Sequence, residues 1–334
     1  MEYRFLGSTG IKVSALSFGT MSFGGDADEA TSARLYAMCR DAGINLFDCA
    51  NVYNRGRSEA LLGKLAASDR QQLVLTSKAC FPTGEDVNAR GSSRYHLVRA
   101  VEESLGRLGT DYIDLYFLHR FDEATDLEES LRALDTLVTQ GKILYPALSN
   151  FAAWQAQKAL GVSALEKLAR PVCVQPMYNL VKRQAEVEIL PMARAEQIGV
   201  LAYSPLGGGL LTGKYSDAQP PGQGRLVDNP MYADRYAGAQ GREVARQLGA
   251  LARAQGHHPA TLAVAWVASH PAVSSALLGA RSPEQLEACL AAAPLCAQWR
   301  EEPTLRGKVS ALAHAPPPAT DRSEESGAHD MWKR

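Results

Sequence analysis

Four side chains of this sequence, a carboxylate, a phenol, an ammonium and an imidazole, fall at matching places. Asp48 closes the apolar run that holds Ile44, Leu46 and Phe47, and Tyr53 follows in the next loop. Lys78 ends the run Leu73-Val-Leu-Thr-Ser, and His119 ends Tyr112-Ile-Asp-Leu-Tyr-Phe-Leu. A parallel barrel keeps its reactive groups at the C-terminal ends of its strands, so one pocket would collect all four. They suit proton transfer, because a neighbouring ammonium lowers the pKa of a phenol and an aspartate keeps that ammonium charged. Taken singly, each has an ordinary role. Asp48 and Lys78 would be a structural ion pair, Tyr53 a loop tyrosine and His119 a hydrogen-bonded core histidine. Only their joint position at strand ends carries the chemistry.

The elements that must position them alternate along the chain. Short aliphatic runs at about 15–18, 44–47, 73–77, 112–118, 143–148, 172–175, 199–203 and 275–278 read as strands. Helical patterns lie between and after them, at about 29–42, 57–66, 94–107, 127–139, 153–168, 184–197, 241–255, 259–269 and 283–292. In the third, Leu97, Val101, Leu105 and Leu108 repeat at helical spacing and Gly109 stops the helix. Strand and helix alternating in this way imply an α/β chain with a parallel sheet, closed as a (β/α)8 TIM barrel. Tyr3–Leu6 and Ile11–Val13 flank Gly7-Ser-Thr-Gly10 and read as a hairpin ahead of it. The helix at about 241–255 is extra to the eightfold repeat. Gly207–Ala239 is rich in Gly, Pro and Asp without helical period, so it is either disordered or a functional lid-like loop. Residues 1–312 form one domain in this reading, and 313–334 a polar, disordered tail.

Composition narrows the partners. With 334 residues, 46% hydrophobic and a formal net charge of -1, the chain is neither a polyanion binder nor a basic membrane-surface protein. Nucleic acid and membrane are therefore not expected. The six cysteines, Cys39, Cys49, Cys80, Cys173, Cys289 and Cys296, contain no C-x-x-C pair and read as buried thiols rather than metal ligands or disulfides. The opening MEYRFLGSTG has no basic or apolar leader pattern, and no apolar run approaches the roughly 20 residues of a spanning helix. A cytoplasmic location is the expectation. Oligomeric state is not readable.

Asp48, Tyr53, Lys78 and His119, in that order and at those strand ends, resemble the tetrad of the aldo-keto reductase family. The resemblance runs from about Tyr3 to about Leu290. It implies an oxidoreductase that uses NADP(H), without metal, to reduce an aldehyde or ketone to an alcohol. In that mechanism Tyr53 donates the proton, Lys78 lowers the phenol's pKa, Asp48 holds Lys78, and His119 orients the carbonyl oxygen. The hairpin would plug the barrel floor.

Several cofactor positions match as well. Ser149, Asn150 and Gln175 match residues that grip the nicotinamide carboxamide, and Tyr203 the aromatic residue under the ring. Ser149-Asn150 would otherwise read as an N-cap pair for the next helix. Tyr203-Ser-Pro-Leu-Gly-Gly-Gly-Leu-Leu-Thr-Gly-Lys resembles the pyrophosphate loop of the Kv-channel-β-like branch. Ser204, Leu206, Gly208 and Leu210 would supply its backbone contacts, and Lys214 and Arg225 its charge. Gly279, Arg281 and Gln285 align with residues around the 2′-phosphate and ribose, where Arg281 would otherwise be a plain solvated arginine. There is no G-x-G-x-x-G. Two departures stand out. Ala288 and Cys289 replace an acid and an asparagine that relatives use on adenine. Pro146 and Ala147 replace a bulkier residue and a glycine, which predicts a bend in that strand.

Alternatives remain open. The same branch includes regulatory subunits that bind nicotinamide cofactor, so a redox-sensing subunit with weak reductase activity is the rival reading. A Schiff-base lyase with Lys78 as nucleophile is a third. Met21, Phe23, Phe81 and Arg120 are the candidates for the pocket mouth, and the physiological substrate is not readable.

Overall fold

The computed structural model describes residues 1–215 and 224–320. Two short antiparallel strands, β1 (Tyr3–Phe5) and β2 (Lys12–Ser14), form the expected hairpin. The next strands are β3 (Leu16–Gly19), β4 (Leu46–Asp48), β5 (Val74–Ala79) and β6 (Ile113–Leu118). They are followed by β7 (Ile143–Ser149), β8 (Cys173–Gln175), β9 (Gly199–Ala202) and β10 (Ser275–Leu278). These pair in parallel in chain order, and β10 closes on both β3 and β9 to complete the barrel. The expected (β/α)8 TIM barrel with its N-terminal hairpin is therefore the observed fold.

Helices α1 (Glu29–Asp41), α2 (Arg57–Ala66), α3 (Arg94–Leu108), α4 (Leu127–Thr139), α5 (Ala153–Leu165) and α6 (Ile189–Ala195) connect the strands. Their ends follow local chemistry. In α3 the Ser93 side chain accepts from His96 N, and Gly109 in the left-handed region (φ 62°) ends the helix. Leu97, Val101, Leu105 and Leu108 are all buried, which is the apolar stripe the spacing implies.

Two apolar layers result. Inside the barrel, Leu46, Val74, Leu115, Phe117, Leu201 and Leu277 pack with Leu6 and Val13 of the hairpin. Ser8 N bonds to Gln197 O at 2.8 Å, just before β9, so the hairpin plugs the N-terminal end and leaves the opposite end for chemistry. Gly199 makes room for it, since a Cβ there would stand 2.4 Å from Leu6 Cδ1. Outside, the helices bury a second layer against the strands.

Three segments differ from expectation. Gly207–Ala239 carries a helical turn at Gly207–Thr212 and the short helices α7 (Arg225–Asp228) and α8 (Pro230–Arg235). Asn229 caps α8 by accepting from Met231 N, and Pro230 starts it, so capping rather than periodicity makes this helix. Residues 216–223 of that loop lie outside the described residues. The helix expected over about 184–197 is a 3-10 turn (Gln184–Glu186) followed by α6. The extra helix is α9 (Ala239–Ala254), followed by α10 (Pro259–Ala268) and α11 (Pro283–Leu290). After it come α12 (Ala293–Glu301) and α13 (Pro303–Ser310), which the sequence pattern missed. The bend expected at Pro146 and Ala147 does not interrupt pairing, because Tyr116↔Pro146 and Phe117↔Ala147 stay in register. At the start of the expected tail, Arg183 donates to the carbonyls of Ser310 and Ala313, at 3.2 and 3.0 Å. Residues 321–334 of that tail lie outside the described residues. Among the described residues, no helix is long and apolar enough to cross a membrane.

Candidate active site

The strands deliver their terminal side chains to one end of the barrel. Asp48 ends β4, Lys78 lies one residue from the end of β5, and His119 follows β6. Lys78 Nζ donates to Asp48 Oδ2 at 2.6 Å and to the Cys49 carbonyl at 2.7 Å. The other Asp48 oxygen accepts from Thr76 Oγ1 at 2.6 Å and from Gln175 Nε2 at 2.9 Å. Lys78 is 0% exposed and the Asp48 side chain 4%. Ions buried this deeply persist only when their remaining groups are hydrogen-bonded, and these are.

Tyr53 and His119 stand over the pair. Lys78 Nζ lies 5.2 Å from the centroid of the Tyr53 ring, and the His119 ring meets Tyr53 edge-on at 6.0 Å. Burial, with Asp48 as the next cause, pushes the Tyr53 phenol well above the usual tyrosine range. The net direction is set by burial rather than by Lys78. The ammonium is already engaged by Asp48, while packing penalises the phenolate. The phenol therefore keeps its proton. Burial first, and the Lys78 charge second, lower the His119 pKa to about 3. Its imidazole is neutral at ordinary pH, and its buried Nδ1 has no hydrogen-bond partner among the described residues. Phe81 packs edge-on against it at 4.8 Å.

A cavity of about 1280 Å³ opens over these groups, lined by Asp48, Tyr53 and His119 with Lys78 behind them. Ser149, Asn150, Gln175 and Tyr203 line it too, from the ends of β7 and β8 and the residue after β9. Tyr203 OH donates to Asn150 Oδ1 at 2.7 Å, and Asn150 Nδ2 donates to the His119 carbonyl at 2.9 Å. Burial raises the Tyr203 phenol to about 12. Asn150 and Ser204 hold left-handed backbone at φ 56° and 58°, strain of the kind that collects at functional sites.

Ser204, Leu206 and Gly208 continue the lining, with Lys214 and Arg225, then Gly279, Arg281 and Gln285 after β10. The Leu210 side chain is buried in the core at 1% exposed, which leaves its backbone as the part expected to contact phosphate. Of the mouth candidates, Met21, Phe81 and Arg120 line the cavity, whereas Phe23 is fully buried 5.6 Å from Phe18. The turn after β3 sends Phe23 inward, which composition alone does not reveal. Ala288 and Cys289 do line the far end.

The sequence reading missed three contributors. Thr76 was findable, since it lies two residues before Lys78 on one strand and so shares its face. Tyr232 and Arg235 come from α8, which has no periodic signal. The guanidinium groups of Arg225 and Arg235 lie 5.1 and 5.0 Å from the Tyr232 ring. Tyr232 also packs over Gly208, where a Cβ would meet its ring at 2.9 Å and the backbone holds φ 66°.

A nicotinamide dinucleotide fits this donor set. Among the described lining residues, five cations (Arg120, Lys214, Arg225, Arg235, Arg281) face three acids (Asp48, Glu123, Glu284), one already paired with Lys78. Polar groups cluster where Tyr53 and His119 stand, and glycine backbone lines the cationic part, as a phosphate chain requires.

Comparison with known proteins agrees. The model of the aldo/keto reductase family matches residues 15–298. The chain is 37% identical to a Bacillus subtilis protein called "Uncharacterized oxidoreductase YrpG", over 86% of this chain and 89% of the relative. It is 35% identical to the "Putative voltage-gated potassium channel subunit beta" of Schizosaccharomyces pombe, over 86% of each. It is 37% identical to the "Probable voltage-gated potassium channel subunit beta" of Oryza sativa subsp. japonica, over 86% of this chain and 89% of the relative. A parallel barrel with a buried Lys78–Asp48 pair at its open end, matched along most of its length by these relatives, belongs to the aldo/keto reductase family of oxidoreductases, beside proteins named as potassium channel β subunits.

Proposed function

We propose that this chain reduces aldehydes or ketones to alcohols with NADPH, Tyr53 being the proton donor. The observation that carries the reading is the buried Lys78–Asp48 pair, 2.6 Å apart, beneath Tyr53 and His119 in a cavity of about 1280 Å³. When bound, a nicotinamide dinucleotide would supply the hydride for the carbonyl carbon. Ser149, Asn150 and Gln175 would hold its carboxamide, Tyr203 would back its ring, and Lys214, Arg225 and Arg281 would hold its phosphates.

The chain's own groups then handle the oxygen. The neutral imidazole of His119 hydrogen-bonds the carbonyl oxygen and fixes its position. Tyr53 donates its proton as negative charge develops there. Lys78 supplies positive potential beside the resulting phenolate, and Asp48 holds the Lys78 ammonium in place. Phe81 and Met21 at the mouth shield the reacting atoms from water.

Steady-state NADPH oxidation with 4-nitrobenzaldehyde and methylglyoxal tests this reading. Turnover with either supports it. Tight NADPH binding without turnover on any carbonyl of a broad panel would instead favour a cofactor-binding regulatory subunit, which the names of the potassium channel relatives keep in view.

A further inference from the structure

Arg281, the residue expected at the 2′-phosphate, already has an anionic partner. Its Nε lies 2.9 Å from Asp26 Oδ2, with the two side chains 33% and 50% exposed. Asp26 belongs to the turn between β3 and α1, far from Arg281 in sequence and unremarked in the motif pattern. That turn is firmly built. Ala27 N bonds to Ser22 O at 2.9 Å, and Asn54 Nδ2 donates to the carbonyls of Met21 and Phe23 at 2.9 and 2.8 Å. The turn is also fastened to the segment that carries Arg281, because Ser22 Oγ donates to Ala280 O at 2.8 Å. On the other side, Arg281 N donates to Gln285 Oε1 at 3.0 Å, so the arginine backbone is held as well. Asp26 is thus a carboxylate on a hydrogen-bonded turn, paired with the cavity residue Arg281.

Carboxylate and guanidinium make opposite demands on an adenosine ribose. A carboxylate accepts a hydrogen bond from a free 2′-hydroxyl and repels a 2′-phosphate, whereas an arginine pairs with the phosphate. Here the two opposed selectors touch. A 2′-phosphate reaching Arg281 must displace Asp26 or lie beside it, while a 2′-hydroxyl meets a ready acceptor. We infer that Asp26 is a cofactor-selectivity residue that weakens NADPH relative to NADH, narrowing the preference set by Lys214, Arg225 and Arg281. The inference rests on the nicotinamide-dependent reading above.

Fluorescence titration of NADPH and NADH against the wild type, Asp26→Asn and Asp26→Ala tests it without reference to turnover. Both variants should tighten NADPH by about fivefold, the upper worth of an exposed ion contact, and leave NADH unchanged or weaker. The shift should shrink at high salt. Arg281→Met should do the reverse, weakening NADPH and sparing NADH. A ratio of the two dissociation constants that stays at the wild-type value in both Asp26 variants overturns the inference while leaving the reductase reading intact. Failure of the wild type to bind either dinucleotide overturns both.

Discussion

Gln175 donates its side-chain amide to the oxygen of Asp48 that Thr76 also occupies, at 2.9 Å, so a residue expected at the nicotinamide also holds the buried ion pair. Asp48 thereby links the neighbouring strands β4 and β5 to β8, which lies across the barrel from them. Gln175→Met keeps the volume and removes this donor. The loss of one hydrogen bond to a charged group should cost roughly 1.5–3 kcal/mol, read from urea unfolding. NADPH should also bind more weakly. A variant as stable as the wild type would mean that Thr76 and Lys78 alone satisfy Asp48.

The ion pair itself is separable from catalysis by its stability. Lys78→Met leaves Asp48 buried without its cation, which should cost about 3–5 kcal/mol. Adding Asp48→Asn removes the stranded charge, and most of that loss should return. Equilibrium denaturation of the single and double variants measures the coupling. Additive losses would show that the two groups do not depend on each other.

His119 makes a prediction about pH. Its folded pKa is lowered to about 3 by burial and by Lys78, whereas an unfolded histidine titrates near 6.5. Above that unfolded value neither state binds the proton and the stability is fully present. As pH falls below it, the unfolded chain takes up a proton that the folded chain refuses, so stability is lost with a slope of at most about 1.4 kcal/mol per pH unit. His270, lowered to about 4, acts in the same direction. Comparing urea midpoints of the wild type and His119→Gln at pH 7 and pH 5 isolates His119. The variant should lose less stability between them, and equal losses would contradict the assignment.

The adenine end carries a fourth test. Ala288 lines the cavity and Cys289, also lining it, is only 1% exposed, so Ala288 is the position to change without overpacking. Ala288→Glu restores an acceptor for the adenine amino group and should tighten NADPH by the worth of one hydrogen bond, roughly 0.5–1.5 kcal/mol. Unaltered affinity in a folded variant would place adenine elsewhere.

Much of this was legible in the chain. The barrel follows from aliphatic runs alternating with helical stripes such as Leu97, Val101, Leu105 and Leu108, because each stripe has only the sheet to bury against. Asp48, Lys78 and His119 were legible because a strand end is a position that sequence marks. What lay hidden depends on contacts distant along the chain. The helix over Pro230–Arg235 is set by the Asn229 cap and by packing of Tyr232 on Gly208, and neither leaves a periodic trace. Phe23 turns inward because of the β3–α1 turn, and Asp26 meets Arg281 only once β3 and β10 are neighbours. Proximity of Tyr53 to Lys78 is readable from order, while the burial that raises its phenol is not.

Replacing Tyr53 by Phe tests the central claim most directly. The change removes one hydroxyl and keeps the ring, so NADPH binding by fluorescence should match the wild type. Carbonyl reduction, followed as NADPH oxidation with 4-nitrobenzaldehyde, should fall by about 10² or more, the usual worth of a general acid. Reduction at a near wild-type rate by a variant that binds NADPH normally would contradict the account, and the proton would have to come from another group.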